Sequence, residues 1–280
     1  MTAPPGPQPQ NTDRPLRRFR QAYAAHRARE GRALSAGDLL QLPFLSHGPQ
    51  AAQWRVRGRT FTCFVTRVLR PLARARAPRP LTLLDLGAGN AWLCYRVARL
   101  GARPLALDVR SDAVDGLAAA AAYLPLLALP FPRIAAGFEA LPLAPGCADL
   151  AVFNASLHYA LDLPEVLGEA LRVLRPDGRI AVLDSPFYRS ATDGDAMVRE
   201  KHANRRQVFG DLADDLTALP FVEYLTRSRL EEASTGLGLV WRRHRPRYPL
   251  WYQLRPMIAS LRGRRSPSRF DVWEAHRAGD

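Results

Sequence analysis

The chain has 280 residues, 47% of them hydrophobic, and a formal net charge of +14. That apolar share is ample for one large domain, or a domain with a smaller appendage, and excludes a chain that cannot bury a core. Cys63, Cys94 and Cys147 form no CxxC pair and have no closely spaced histidine, which excludes a disulfide framework and a structural zinc site and fits a soluble protein of a reducing cytoplasm; no metal is expected.

The N-terminus lacks the charged-then-apolar pattern of a signal peptide. The longest apolar run, Leu117–Phe131, is broken by Pro125 and Pro130 and is too short to span a bilayer. The positive charge favours anionic partners, nucleic acid among them. Lys201 is nevertheless the only lysine, and alanine and proline are plentiful. A GC-rich coding sequence gives that profile, which weakens the nucleic-acid reading.

Residues 1–14 are rich in proline and glutamine and are expected to be a disordered tail. Residues 15–80 read as a helical N-terminal cap, with helices near Leu16–Arg29 and Gln53–Arg70, the second ending before Pro71. From Leu81 strands and helices alternate, which argues for an α/β fold with a parallel sheet covered on both faces. Strands are expected at Leu81–Leu86, Pro104–Asp108, Arg133–Ala136, Asp149–Asn154 and Arg179–Asp184. A helix over Pro164–Leu174 carries Leu167, Ala170, Leu171 and Leu174 on one stripe, and Pro176-Asp177-Gly178 turns into the next strand. Residues 187–225 read as an insertion over the strand ends, a lid with one helix near Ala196–Phe209. A helix near Ser228–Thr235 and strands at Leu239–His244 and Arg269–Ala275 complete residues 81–280.

The stretch Leu81–Gly101, LTLLDLGAGNAWLCYRVARLG, is a buried strand, a tight glycine turn and a helix from about Ala91. Unpaired backbone N–H groups converge at such a turn and form a nucleotide cradle. Gly87 and Gly89 fit the first two glycines of the dinucleotide spacing G-x-G-x-x-G, but its third place is Trp92. Asp85, two residues before the turn, would also repel a diphosphate. A cationic cofactor removes that conflict, and S-adenosylmethionine, with its ammonium and sulfonium groups and no phosphate, is such a cofactor. Asp108 ends the next strand 19 residues past Gly89, the usual distance for a carboxylate that accepts hydrogen bonds from ribose hydroxyls.

The pattern hhhDhGxG with an acidic residue closing the following strand resembles the class I S-adenosylmethionine-dependent methyltransferases. GFEALPLAPGCADLAVFNASLHY (137–159) and LGEALRVLRPDGRIAVLD (167–184) look like the methyltransferase type 11 group. The resemblance covers about Leu81 to Ala275 and implies a Rossmann-like, doubly wound, mostly parallel seven-stranded sheet. It also implies S-adenosylmethionine as cofactor, bound around Asp85, Gly87, Ala88, Gly89 and Asn90, with Asp108 and Val109 at the ribose. Phe138 and Glu139 are expected beside the adenine, and Asn154 beside the methionine part. Ala91 stands where a further glycine is common. Gly137 stands where an aspartate often meets the adenine amino group, and Glu139 substitutes for it only with a shifted loop.

His158, following the fourth strand, is the candidate base, against a simpler reading as a histidine lining the pocket. Tyr159 and Tyr188 are candidates for an aromatic pocket, or simply core. Among Arg55, Arg57 and Arg59, Arg55 is the candidate for the methionine carboxylate because it follows Trp54. NASLHY carries no nucleobase-methylating signature, and no cysteine follows the fourth strand. The segment 241–265 has three readings: single-stranded RNA binding by stacking and charge, contact with an anionic membrane surface, or, preferred, a strand with a basic loop and helix shielding the sheet edge. The expected activity is in-line methyl transfer to a small or medium organic acceptor. RNA methylation and a non-catalytic cofactor-binding partner protein are the alternatives.

Overall fold

A computed structural model describes residues 18, 19, 21–23, 34–210 and 212–279. The expected tail over 1–14 and most of the helix expected over Leu16–Arg29 lie outside them; Arg18, Phe19 and Gln21–Tyr23 are helical. Helices α1 (Ala36–Gln41), α2 (Ala51–Phe64), α3 (Arg70–Arg76), α4 (Trp92–Ala98), α5 (Leu163–Val173), α6 (Ala191–Phe209), α7 (Leu212–Thr217), α8 (Arg227–Ala233) and α9 (Leu250–Leu261) surround one sheet. Its strands are β1 (Thr82–Leu86), β2 (Arg103–Asp108), β3 (Arg133–Ala135), β4 (Ala148–Asn154), β5 (Leu174–Leu183), β6 (Leu239–His244) and β7 (Val272–Arg277). They lie in the order β3-β2-β1-β4-β5-β7-β6. Every pairing from β3 to β5 is parallel, and β7 runs antiparallel to both β5 and β6.

The alternation of side chains along each strand sorts the core into two layers. Leu83 of β1, Leu150 and Val152 of β4 and Ala181 and Leu183 of β5 pack with Leu93 and Val97 of α4 and with the α2–α3 region. Their neighbours Leu84, Leu86, Ala151, Phe153, Ile180 and Val182 pack on α5 and α8 from the other side. Both faces are therefore apolar, and β4 is buried at every position, as a sheet covered on both sides requires. At the far end of the sheet the fully buried Asp149 accepts both Arg79 guanidinium nitrogens, at 3.0 and 2.7 Å, and the Thr82 N–H at 2.8 Å, which ties the start of β1 to β4.

Two expectations need correction. The helix beginning at Ala51 does not stop before Pro71. A π turn over Val65–Leu69 joins α2 to α3, and Pro71 sits in the first turn of α3. The widened turn accommodates a residue with no N–H to give. The helix of the segment 241–265 does not serve the sheet edge as expected: Tyr248 and Tyr252 pack with Val56 of α2, and α9 becomes a wall of the cavity described below.

Candidate active site

The turn after β1 is held by two short backbone bonds, from Gly87 N–H and Ala88 N–H to the Leu107 carbonyl at 2.8 and 2.9 Å. Gly87 has φ +78°, and a Cβ there would lie 2.4 Å from Ser156 Cβ, so no side chain fits. Ala91 takes a left-handed conformation at φ 58° as the N-cap of α4. The glycine that the family often has here is thus replaced at a strain of about 1–2 kcal/mol. Asn90 braces the turn: its Oδ1 accepts the Trp92 N–H and its Nδ2 donates to Asp115, both at 3.2 Å.

Asp108, at the end of β2, accepts the Gly89 N–H on one oxygen and the Arg110 N–H on the other, each at 2.7 Å. Each oxygen keeps a lone pair for a further donor. Burial raises its pKa above the ordinary carboxylate range, against the pull of these two N–H groups and of Arg110. Trp92, the residue that breaks the dinucleotide spacing, meets Trp54 edge to face at 6.0 Å and Phe61 at 5.6 Å. The place of a third glycine has become the docking point of α2.

These elements open onto one cavity of about 930 Å³ at the C-terminal ends of the parallel strands, where ligands of open α/β sheets bind. Gly87, Ala88, Gly89, Asn90, Asp108 and Val109 line one end. Phe138 and Glu139 line it from the loop after β3, and Asn154 and His158 from the end of β4. Glu139 comes close to Gly137: its Oε2 lies 2.6 Å from where a Gly137 Cβ would stand. The Glu139 carboxylate thus lies over the bare glycine, and burial raises its pKa.

Two expected site residues lie elsewhere. Asp85 does not line the cavity. The pleat turns it to the face of the sheet that Leu83 occupies, where it is fully buried and Cys94 Sγ donates to its Oδ2 at 3.5 Å. Its Oδ1 has no hydrogen-bond partner among the described residues. Burial pushes its carboxyl up to about 7. Arg55 is exposed on the far side of α2 and also does not line the cavity. The arginine of α2 that does is Arg57, which shares a helix face with Trp54 because it lies three residues on, not one.

Arg57 is among the three arginines that the sequence offers, ranked there below Arg55. Its guanidinium lies 4.5 Å from the Trp54 ring centre and 5.5 Å from that of Trp92. Its Nε donates to Asp184 Oδ2 at 2.9 Å and a terminal nitrogen donates to Asn154 Oδ1 at 3.3 Å. Burial raises the pKa of Asp184, and Arg57 opposes that rise. Asp184, closing β5 at φ 50°, and Ala155, after β4 at φ 59°, both hold left-handed conformations at the cavity rim. Such strain of about 1–3 kcal/mol is characteristic of ligand sites.

The other end of the cavity is aromatic. Tyr159 meets Phe221 edge to face at 5.4 Å and Tyr23 at 5.7 Å, and the Tyr159 and Tyr23 hydroxyls are 3.1 Å apart. His158 stacks on Tyr159 at 4.3 Å, with Nδ1 3.4 Å from Ser185 Oγ. Tyr188, a candidate for this pocket or for the core, is a core residue: it is buried, packs on Tyr224 and meets Arg265, outside the lining. Lys201 of α6, Arg205 beside it and Phe221 reach the cavity from residues 187–225. That segment leaves and rejoins the sheet at one point, where Phe187 pairs with Leu225. Of the aromatics offered for RNA stacking, Tyr248 and Tyr252 are buried and Trp241 is half-buried with its Nε1 donating to Ser234 Oγ. Only Trp251 is exposed. No group of three or more metal-ligating side chains occurs among the described residues.

Residues 84–182 match the family model of a methyltransferase domain. The chain carries a class I, S-adenosylmethionine-dependent methyltransferase domain. The sheet order and the antiparallel β7 belong to the same fold. Among solved structures, the 1,6-didemethyltoxoflavin-N1-methyltransferase of Burkholderia thailandensis aligns with a TM-score of 0.53 at 15% identity, over 99% of this chain and 93% of that one. The geranyl diphosphate C-methyltransferase of Streptomyces coelicolor aligns at 0.54 and 15%, over 83% and 85%. A Haloferax volcanii methyltransferase in complex with the activator Trm112 aligns at 0.52 and 14%, over 94% and 98%. At these identities the likeness is one of fold. No relative was found among the curated proteins. The methyltransferase domain's own residues suit its cofactor: the turn admits no side chain at Gly87, Asp108 has acceptor capacity left, and no phosphate-binding glycine stands at Trp92.

Proposed function

We propose that this methyltransferase acts on a small or medium organic acceptor, methylated at O, N or C, with the donor and the acceptor at opposite ends of the one cavity. The observation that carries this reading is the cavity's division. One end offers a glycine turn and a carboxylate, the other a wall of aromatic rings with cations beside it. Its volume of about 930 Å³ lies near the top of the roughly 300–1,000 Å³ range of ligand pockets, which suits two molecules rather than one.

In this reading Asp108 accepts the ribose hydroxyls, and the backbone about Gly87, Ala88, Gly89 and Asn90 receives the nucleoside, with Val109 beside it. Phe138 and Glu139 meet the adenine, Glu139 accepting from its amino group. Arg57, with Asn154, holds the methionine carboxylate, the task first given to Arg55. Asp85 acts through the floor of the site, as a carboxylate whose ionisation a cation above it favours. The bound cofactor supplies a methyl group on a positively charged sulfur. The protein's task is to hold the acceptor atom in line, roughly 3–3.5 Å from that carbon. His158 takes the proton when the nucleophile still carries one. In this reading residues 15–80 are the cap, 187–225 the lid and 81–280 the methyltransferase domain. The three cysteines are free thiols, which supports a cytoplasmic location.

An aromatic slot fits a flat or apolar acceptor better than a polymer. With most of their aromatics turned inward, residues 241–265 give single-stranded RNA little to stack on. Calorimetry with S-adenosylmethionine, S-adenosylhomocysteine and NAD, followed by mass spectrometry of ligands retained from cell extract, tests the reading. We expect micromolar binding of the sulfur compounds, loss of about tenfold in affinity in Glu139→Ala, and a small organic ligand. Tight NAD binding with indifference to the sulfonium compound would overturn it.

A further inference from the structure

Helix α9 is built with its apolar side outward. Leu250, Leu254, Met257, Ile258 and Leu261 follow the i, i+4, i+7, i+8, i+11 spacing and fall on one stripe, with Trp251 at its edge. Such a stripe ordinarily faces a core. Here Tyr252 packs inward while Leu250 is 70% exposed, Met257 55% and Leu261 81%. Trp251 and Ile258 on the same stripe are also exposed. So many large apolar side chains on one solvent-facing stripe mark an interaction surface.

The charges around the helix say what covers it. Arg245 and Arg247 precede α9, Arg262 and Arg264 follow it, and all four are exposed. None has an ion-pair partner among the described residues. An apolar stripe with basic residues at both ends and a tryptophan on it suits the boundary between headgroups and acyl chains. A second copy of the chain would bring the same unpaired arginines against their own images, and each copy carries +14. An anionic surface complements that charge. Trp251 also lines the cavity, together with Tyr252 and Arg255, so the stripe adjoins the cavity wall that α9 forms beside α2.

We propose that α9 is a peripheral docking helix for anionic lipid bilayers, lying in the interface plane with its apolar stripe inserted, and that it brings the cavity it walls to the membrane surface. The docking stands on the stripe and the arginines alone. The corollary that the acceptor is a lipid-like molecule taken from the bilayer rests on the proposed function.

Co-sedimentation of the full chain with vesicles tests it, comparing phosphatidylcholine alone with phosphatidylcholine containing phosphatidylglycerol. We expect binding to the anionic vesicles, release by salt, and little binding to the neutral ones. Met257→Glu with Leu261→Glu, neither lining the cavity, should lower the partition at least tenfold while circular dichroism and S-adenosylmethionine affinity stay unchanged. Arg262→Gln with Arg264→Gln, a surface change that leaves the helix apolar, should lower it about fivefold per arginine. Equal binding to both vesicle types would overturn the proposal. So would wild-type binding by either double variant, or a wild-type dimer in analytical ultracentrifugation that the glutamate pair dissolves. Vesicle binding without cofactor binding would defeat the methyltransfer reading and leave the docking helix standing.

Discussion

Asp85→Asn probes the electrostatics beneath the glycine turn. Burial lifts the Asp85 carboxyl from the ordinary 3.8 to about 7, the Cys94 thiol opposing the rise, the Asp108 carboxylate adding to it and Arg57 opposing it. The folded protein therefore keeps this proton to a higher pH than the unfolded chain does. Stability associated with the neutral carboxyl is fully present below about pH 4 and is lost as pH rises to about 7, at about 1.4 kcal/mol per unit. The whole window amounts to roughly 4 kcal/mol, and the part between pH 5 and pH 8 to about 2.5 kcal/mol. Asparagine cannot titrate. Its amide leaves one donor without an acceptor in a dry site, a cost of about 1–3 kcal/mol that does not vary with pH. Urea unfolding of both proteins at pH 5, 6, 7 and 8 should show the variant gaining on the wild type by about 2.5 kcal/mol across the series. Parallel pH profiles would refute the reasoning, because they would mean that Asp85 ionises as readily inside the protein as outside it. Binding of a cationic donor favours the ionised carboxylate, so wild-type affinity should also rise through pH 7 and the variant's should not.

Gly87→Ala should lower S-adenosylmethionine affinity at least tenfold in calorimetry and cost about 1–3 kcal/mol in urea unfolding, because its Cβ would stand 2.4 Å from Ser156 Cβ at φ +78°. Arg57→Met leaves Asp184 buried beside no cation and should destabilise by about 3–5 kcal/mol. Adding Asp184→Leu should restore most of that stability in thermal unfolding, and a single variant as stable as the double would show that the pair is not coupled. His158→Asn should cut kcat about 100-fold with an acceptor that carries a proton, and leave S-adenosylmethionine affinity in calorimetry unchanged. Unchanged turnover would leave His158 as a wall of the slot.

The sheet was legible because each strand's pattern is local. A run such as LTLLDL meets two hydrophobic layers at once, so it must be apolar at nearly every position, and the turn that follows must be glycine where Ser156 presses on it. The same locality made Asp108 readable, since its spacing from Gly89 is fixed by one helix and one strand. Orientation was less legible. Distance along the chain puts Asp85 at the cofactor, whereas the pleat of β1 settles its direction and turns it toward Cys94. Adjacency to Trp54 favours Arg55, although on a helix the neighbour of residue 54 is residue 57. The signal for Arg57 is present in QWRVRGR as a period of three to four residues.

The acceptor end was not legible, and the reason is topological. Tyr23 meets Tyr159 across 136 positions of chain, and Arg57 reaches Asp184 across 127. No local pattern encodes a contact between segments that only the completed sheet brings together. Helix α9 shows a further limit. Its stripe reads the same whether it faces a core, a partner or a bilayer, because periodicity reports that one side of a helix avoids water and is silent on what replaces it. Tyr252 answers part of the question for this chain: by packing inward onto Val56 from the side of α9 away from the stripe, it turns Leu250, Met257 and Leu261 outward, away from the core. The same contact places Trp251 in the cavity wall. A substitution that loosens Tyr252 should therefore disturb acceptor entry and surface docking together, since one side chain sets the rotation of the helix that serves both.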